Sequence, residues 1–144
     1  MNMPIYQGDA ATGLHHTSAT WECAVAIGDG RIYKIKILPG FAFDGCSIPR
    51  FLWRLCGHPM EVPRIAAALA HDWLYAAHVT SRETADKIFL ALCERVGIGA
   101  LRRRVEYTAL RMFGGAAWDS HGAADISFAR VTPNPFTKSS PTNS

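Results

Sequence analysis

The chain has 144 residues, which gives room for one domain with a real core and little for a second. Some 49% of its residues are apolar and 19% are charged, as in an ordinary globular protein and unlike a disordered or fibrous one. A net charge of +3 is too mild for a dedicated nucleic-acid binder, and no apolar run approaches the roughly 18 residues that cross a bilayer.

Residues 1–20 show no clear period and are expected to form an irregular arm. Met1 to Gly13 lacks the basic stretch and apolar core of a secretory signal, so the expected setting is a cytosol. Trp21 to Ile27 alternates, with Trp21, Cys23, Val25 and Ile27 on one face. Arg31 to Ile37 alternates in turn, with Tyr33, Ile35 and Ile37 opposite Ile32, Lys34 and Lys36. Gly28-Asp29-Gly30 between them supplies the positive φ angles of a tight turn, which predicts a β-hairpin with one buried face. Such a hairpin is barely stable alone and needs the helices that follow.

Pro39-Gly40 ends the second strand, Phe41 to Phe43 fits a short further strand, and Asp44-Gly45-Cys46-Ser47 reads as a loop. Pro49 suits the first position of a short helical turn made apolar by Phe51, Leu52 and Leu55. A long helix is expected from about Pro63 to His78, where Ile65, Leu69 and Trp73 recur at helical spacing. Thr80-Ser81-Arg82-Glu83 resembles a capping box, with Thr80 accepting from the amide of residue 83. The next helix spans about Arg82 to Val96 and stops at Gly97 and Gly99. A third spans about Leu101 to Phe113, with Val105, Leu110 and Met112 as core contacts, and ends at Gly114-Gly115. Arg102-Arg103-Arg104, with Glu94 and Glu106 interspersed, reads as a solvated helix face ahead of a phosphate-binding patch. From Val131 the chain is rich in Pro, Ser, Thr and Asn and has no period, as in a tail without fixed structure. The sum is an α+β fold: an N-terminal antiparallel β-hairpin or small sheet packed on a three-helix bundle with one short additional helix. A single domain over 21–118 lies between an irregular arm, 1–20, and an irregular to disordered tail, 119–144.

The residues most suited to chemistry gather on the two central helices. A connection of about three residues forces these helices to be antiparallel neighbours. Counting outward from the turn, Asp86 comes level with residues 71–75. His71 and Tyr75 are four apart and share a face. The Asp86 carboxylate can therefore accept from the His71 imidazole and the Tyr75 hydroxyl, fixing one ring nitrogen and freeing the other as a base. Asp72 projects about 100° away and is suited to a hard cation. Across from them Asp44 and Gly45 can supply further oxygen ligands, while Ser47, Arg50 and Arg82 are polar neighbours, the two arginines as partners for Asp86. The same cluster also fits a satisfied polar network that holds two helices in register. Asp44 also fits a helix cap.

The four cysteines, Cys23, Cys46, Cys56 and Cys93, form no C-x-x-C pair and read as reduced thiols. A zinc site from Cys46, Cys56, His58 and His71 has irregular spacing, so a divalent cation, if bound, is expected to be calcium rather than zinc. No organic cofactor is expected.

Phe41 to Trp53 (FAFDGCSIPRFLW), Ala67 to Tyr75 (AALAHDWLY), Ser81 to Phe89 (SRETADKIF) and Arg111 to Trp118 (RMFGGAAW) together resemble a phage and prophage family, domain of unknown function 1353. That resemblance covers roughly Trp21 to Trp118. It implies a small protein encoded by tailed bacteriophages or prophages, in the host cytoplasm or in the virion, with other phage proteins or the host envelope as partners. H-D-x-x-Y followed by A-D-x-x-F on the next helix is also similar to the core of phospholipases of the A2 type. That likeness implies His71 as the base that activates water, Asp72 as a calcium ligand, and Asp86 and Tyr75 as the groups that orient His71. Ala70 and Leu74 stand where those enzymes carry framework cysteines. Two functions follow as expectations: a cation-assisted hydrolase acting on the host envelope, or a non-enzymatic virion or host-interaction protein whose His-Asp cluster is structural.

Overall fold

The structure, a computed structural model, describes residues 3–8, 15–43, 64–120 and the backbone of 137–139. Its elements in chain order are β1 (Tyr6–Gly8), β2 (His15–Thr17), β3 (Trp21–Ala26), β4 (Ile32–Ile37), β5 (Ala42–Phe43), α1 (Ile65–Ala77), α2 (Arg82–Arg95), α3 (Ala100–Phe113), α4 (Gly115–Ser120) and β6 (Thr137–Ser139). The fold is α+β, with two small antiparallel sheets, β1-β2-β5 and β3-β4-β6, and three long helices.

The hairpin follows from its alternation. Trp21 pairs with Ile37, Cys23 with Ile35 and Val25 with Tyr33, so one face carries only apolar or aromatic side chains, and it is turned inward. Gly28 and Gly30 take φ of 83° and 77° at the turn, where a side chain would be strained. Between them the Asp29 carboxylate accepts from the Arg31 amide at 3.1 Å and from the Tyr33 hydroxyl. A buried threonine ties the sheets together. Thr17 Oγ1 donates to the Leu38 carbonyl at 2.9 Å and accepts from the Phe41 amide at 3.0 Å, and these bonds brace the Pro39-Gly40 turn.

Of the 13 residues of α1, 12 are buried, Asp72 being the exception. A helix apolar around its whole circumference belongs at the centre of a domain. The alanines at 66, 67, 68, 70, 76 and 77 let neighbours approach its backbone closely. α2 lies against α1 on one side and against α3 on the other; β3 meets α2 and β5 meets α1.

Several expectations differ from the structure. Two strands of three residues lie inside the first twenty; such pieces are too short to display a period of two. β6, within the stretch read as a structureless tail, pairs antiparallel with β4. The cap of α2 is Ser81, not Thr80: Ser81 is extended (φ −69°, ψ 156°) and its side chain accepts from the Thr84 amide at 3.1 Å. Thr80 Oγ1 instead donates to the Ser81 carbonyl. Met112, expected in the core, is 69% exposed, while Glu106, expected on a solvated face, is buried. Arg64, also buried, supplies the opposite charge that lets Glu106 sit there, and Arg102 Nε lies 3.4 Å from the same carboxylate oxygen. The short helix expected at Pro49 lies outside the described residues; the short helix among them is α4, directly after Gly114.

Candidate functional site

The pairing of α1 with α2 sets the site. α1 ends at His78, whose left-handed backbone (φ 49°, ψ 40°) turns the chain while its amide still donates to the Leu74 carbonyl at 3.1 Å. His78 is held there by stacking on Trp118 (centroids 3.8 Å apart) and by Nε2 donating to the Trp118 carbonyl at 3.1 Å. The Ser81 cap then fixes the phase of α2, and Asp86 faces the His71-Tyr75 side of α1.

His71 Nε2 lies 2.8 Å from Asp86 Oδ1, and the Tyr75 hydroxyl donates to the same oxygen at 2.6 Å. Arg111, from α3, donates through Nη1 to Asp86 Oδ2 at 2.8 Å. Arg82 Nη1 stands 4.0 Å from Oδ2, with its guanidinium committed to the last turn of α3 through the Leu110 carbonyl (3.1 Å) and the Arg111 carbonyl (3.4 Å). His71 and Asp86 are 0% exposed and Tyr75 is 2% exposed. The imidazole packs between the Tyr75 ring (4.1 Å) and the edge of Phe89 (5.2 Å). Gly114 completes the enclosure: a Cβ there would lie 2.7 Å from the Tyr75 hydroxyl and 2.5 Å from the Leu110 carbonyl oxygen.

The electrostatics favour one arrangement of protons. Burial pushes the Asp86 carboxyl up, but hydrogen bonds from His71, Tyr75 and Arg111 outweigh it and hold the group below the usual carboxylate range. Burial, and then the bond to Asp86, pushes the Tyr75 hydroxyl up, so it remains a donor. With Asp86 ionised, His71 presents its proton on Nε2. Its Nδ1 is buried and has no hydrogen-bond partner among the described residues. In a neutral ring this nitrogen would be the lone-pair one, and the Asp86 carboxylate is placed to stabilise an imidazolium.

The structure thus brings His71, Tyr75 and Asp86 together, with Arg82 beside them. Asp72 follows His71 on α1 and is the residue of that helix that comes nearest to solvent. Asp44, Gly45, Ser47 and Arg50 lie outside the described residues, as do Cys46, Cys56 and His58 of the zinc alternative. Cys23 and Cys93 are free thiols, and burial pushes the Cys23 thiol up to about 12, far from a reactive thiolate. Among the described residues no group of three His, Cys, Asp or Glu side chains is placed to hold a metal ion, and no helix is long and apolar enough to cross a membrane. The sequence reading does not find Arg111 or Gly114 at this site. Arg111 is 25 residues from Asp86, and its position depends on how α3 crosses α2. The available signal was an arginine beside Leu110 at an apolar helix end, followed by a glycine pair.

No curated protein and no solved structure matches the chain. A family model does match, over residues 22–110, a span that takes in β3 from its second residue, β4, α1, α2 and Asp86 with its α1 partners. The chain belongs to the family described as "Protein of unknown function (DUF1353)".

Proposed function

We propose that this chain is a phage- or prophage-encoded hydrolase of the phospholipase A2 type, acting on lipid of the host envelope. The observation that carries the reading is the His71 imidazole, tied at Nε2 to an ionised carboxylate while Nδ1 is buried with no partner among the described residues. A buried polar atom without a partner costs about 1–3 kcal/mol, so a nitrogen with none among the described residues supports a role beyond packing. In the reaction His71 Nδ1 takes a proton from water as the water oxygen attacks an ester carbonyl carbon. Asp86 and Tyr75 hold the ring, and the imidazolium then returns the proton to the departing alkoxide. Asp72, with Asp44 and Gly45, would hold a cation, calcium before zinc because the donors are oxygens, and its charge would stabilise an oxyanion. Other phage proteins, in the host cytoplasm or the virion, are the partners this reading implies.

The test is fatty-acid release from phosphatidylglycerol and phosphatidylethanolamine vesicles by the purified chain, with calcium and with chelator. Release is expected from the wild type and should be lost in His71→Ala with the far-UV circular dichroism retained. Undiminished release by His71→Ala refutes the role of His71. No release by the wild type under either condition refutes the lipid hydrolase.

A second reading is favoured by the 0% exposure of both His71 and Asp86. In it the cluster clamps three helices, and the chain is a non-enzymatic virion or host-interaction protein. His71→Ala would then lower stability without removing any turnover.

A further inference from the structure

Only three of the 14 residues of α3 are buried, Glu106, Ala109 and Leu110, on the side that packs on α2. Roughly 120° around the helix, at about 100° per residue, runs a second row: Leu101, Val105, Thr108 and Met112, spaced four, three and four apart. Leu101 is 81% exposed and Met112 69%, and Phe113 beside it is 42% exposed; Val105 is partly buried at the margin of the row. We propose that this face of α3 seats the protein on a phospholipid surface that carries anionic headgroups. The inference rests on the hydrolase reading for the purpose of docking, that the substrate is membrane lipid; the face itself stands on α3 alone.

Two features of α3 select the occupant. The first is the apolar row held out to water, where every large side chain that passes from water to acyl chains is a favourable transfer. The second is the sign of the charge. α3 carries Arg102, Arg103, Arg104 and Arg111 against a single acid, a net of +3, as much as the whole chain. That acid is Glu106, which is buried, so α3 turns no carboxylate outward. Arg104 is exposed on the flank of the row. Arg102 lies 3.4 Å from Glu106, Arg103 donates to the Ile98 carbonyl at 2.7 Å and Arg111 to Asp86 at 2.8 Å, yet all three keep part of their side chains in contact with water. A helix with an apolar row outward and arginines beside it lies in the plane of a membrane interface, the apolar side chains among the acyl chains and the cations at the phosphates. A second copy of this chain would set the same cations against each other, and a nucleic acid would gain nothing from Leu101 and Met112. An anionic lipid surface satisfies both features at once.

The experiment is cosedimentation of the full chain, in chelator, with vesicles of phosphatidylcholine alone or of phosphatidylcholine with phosphatidylglycerol. The wild type is expected to partition at least about tenfold more strongly onto the vesicles with phosphatidylglycerol, and added salt should weaken it. The double variant Leu101→Gln, Met112→Gln keeps the charge and puts a good helix former at two exposed positions. It should partition about tenfold less or weaker still, with far-UV circular dichroism unchanged. Arg104→Gln keeps the apolar row and should lose about fivefold, the worth of one cation near such a surface. Should the double variant fail to fold, Leu101→Gln alone must lose about threefold or more. No partitioning of the wild type onto phosphatidylglycerol vesicles, or partitioning that the double variant leaves unchanged, overturns the inference. A dimer that the double variant dissolves, in a chain that binds no vesicles, overturns it too and gives the face to a second copy. Fatty-acid release separates the two ideas. Binding that depends on Leu101 and Met112 in a chain that releases no fatty acid refutes the hydrolase and leaves the docking face intact. Release by the wild type with partitioning indifferent to the double variant does the reverse.

Discussion

Replacing Asp86 with alanine should be among the most destabilising single changes in this protein. The substitution removes the acceptor of three donors at once: His71 Nε2, the Tyr75 hydroxyl and Arg111 Nη1. Two of the donors cannot turn to water, because His71 is 0% and Tyr75 2% exposed. Each sealed donor left without an acceptor costs about 1–3 kcal/mol. The side chain of Arg111 is 32% exposed and can reach solvent, so its share is discounted. Removing one partner from a buried charge cluster of this kind typically costs about 3–5 kcal/mol in all, a large part of the ~5–15 kcal/mol that holds a domain together. Urea unfolding followed by far-UV circular dichroism measures it. With a slope of about 1–3 kcal/mol per molar urea, the midpoint should fall by 1 M or more. Tyr75→Phe serves as the control: it removes one donor and leaves Asp86 its bonds to His71 and Arg111, so about 1 kcal/mol is expected. A loss below about 1 kcal/mol in Asp86→Ala would mean that the sealed donors find other acceptors, and that the network does not bind the three helices as described.

Two further outcomes follow from the same geometry. Because Asp86 is held below its ordinary value of 3.8, the unfolded chain takes up its proton first as the pH falls. The contribution is complete above the unfolded value and disappears as the pH drops through the folded one; the difference in urea midpoint between wild type and Asp86→Asn should therefore shrink below about pH 4, and a constant difference down to about pH 2 would contradict the low value. Alanine in place of a glycine with right-handed helical backbone, as Gly114 has (φ −72°, ψ −13°), ordinarily stabilises a chain, but here the added carbon would meet the Tyr75 hydroxyl at 2.7 Å and the Leu110 carbonyl oxygen at 2.5 Å. Gly114→Ala should destabilise by about 1–3 kcal/mol in the same urea assay, and a gain in stability would show that this contact is not tight.

The central pair of helices was legible because three local signals agree. Apolar residues recur at helical spacing on both sides of a four-residue connection, polar residues suited to capping stand inside it, and His71, Tyr75 and Asp86 fall at distances from the turn that bring them level. Such signals depend on the chain's own neighbourhood and survive without knowledge of the rest of the fold. The hairpin was legible for the same reason, through strict alternation around Gly28-Asp29-Gly30. What α3 contributes was not. Its sequence carries arginines and glutamate in a pattern that reads as solvated, and only the crossing of α3 over α2 decides which of them turn inward. Glu106 is buried where Arg64, 42 residues earlier, meets it, and Arg111 reaches Asp86 from the third helix, 25 residues away. Both are pairings of distant charges, and the local marks, such as an arginine ahead of a glycine pair, do not say which partner each charge meets. The misplaced cap has a smaller cause: Thr80 and Ser81 can each cap a helix, and the choice rests on which one takes the extended backbone.

The balance of the cluster is uneven, and the unevenness bears on what it does. Asp86 has two donors on one oxygen and a guanidinium on the other, while the histidine it holds keeps a buried nitrogen with no partner among the described residues. A network whose purpose was stability alone would be served as well or better by apolar side chains of similar volume, because desolvating charges costs more than their attraction returns in most geometries. Arg111 donates to one oxygen of Asp86, His71 and Tyr75 bond to the other, and Nδ1 of His71 has no partner among the described residues. Asp72, one residue along, is the one residue of α1 that is not buried. Complete burial of the cluster fits a clamp on three helices, whereas an Nδ1 without a partner among the described residues fits a base, and fatty-acid release by His71→Ala decides between the two.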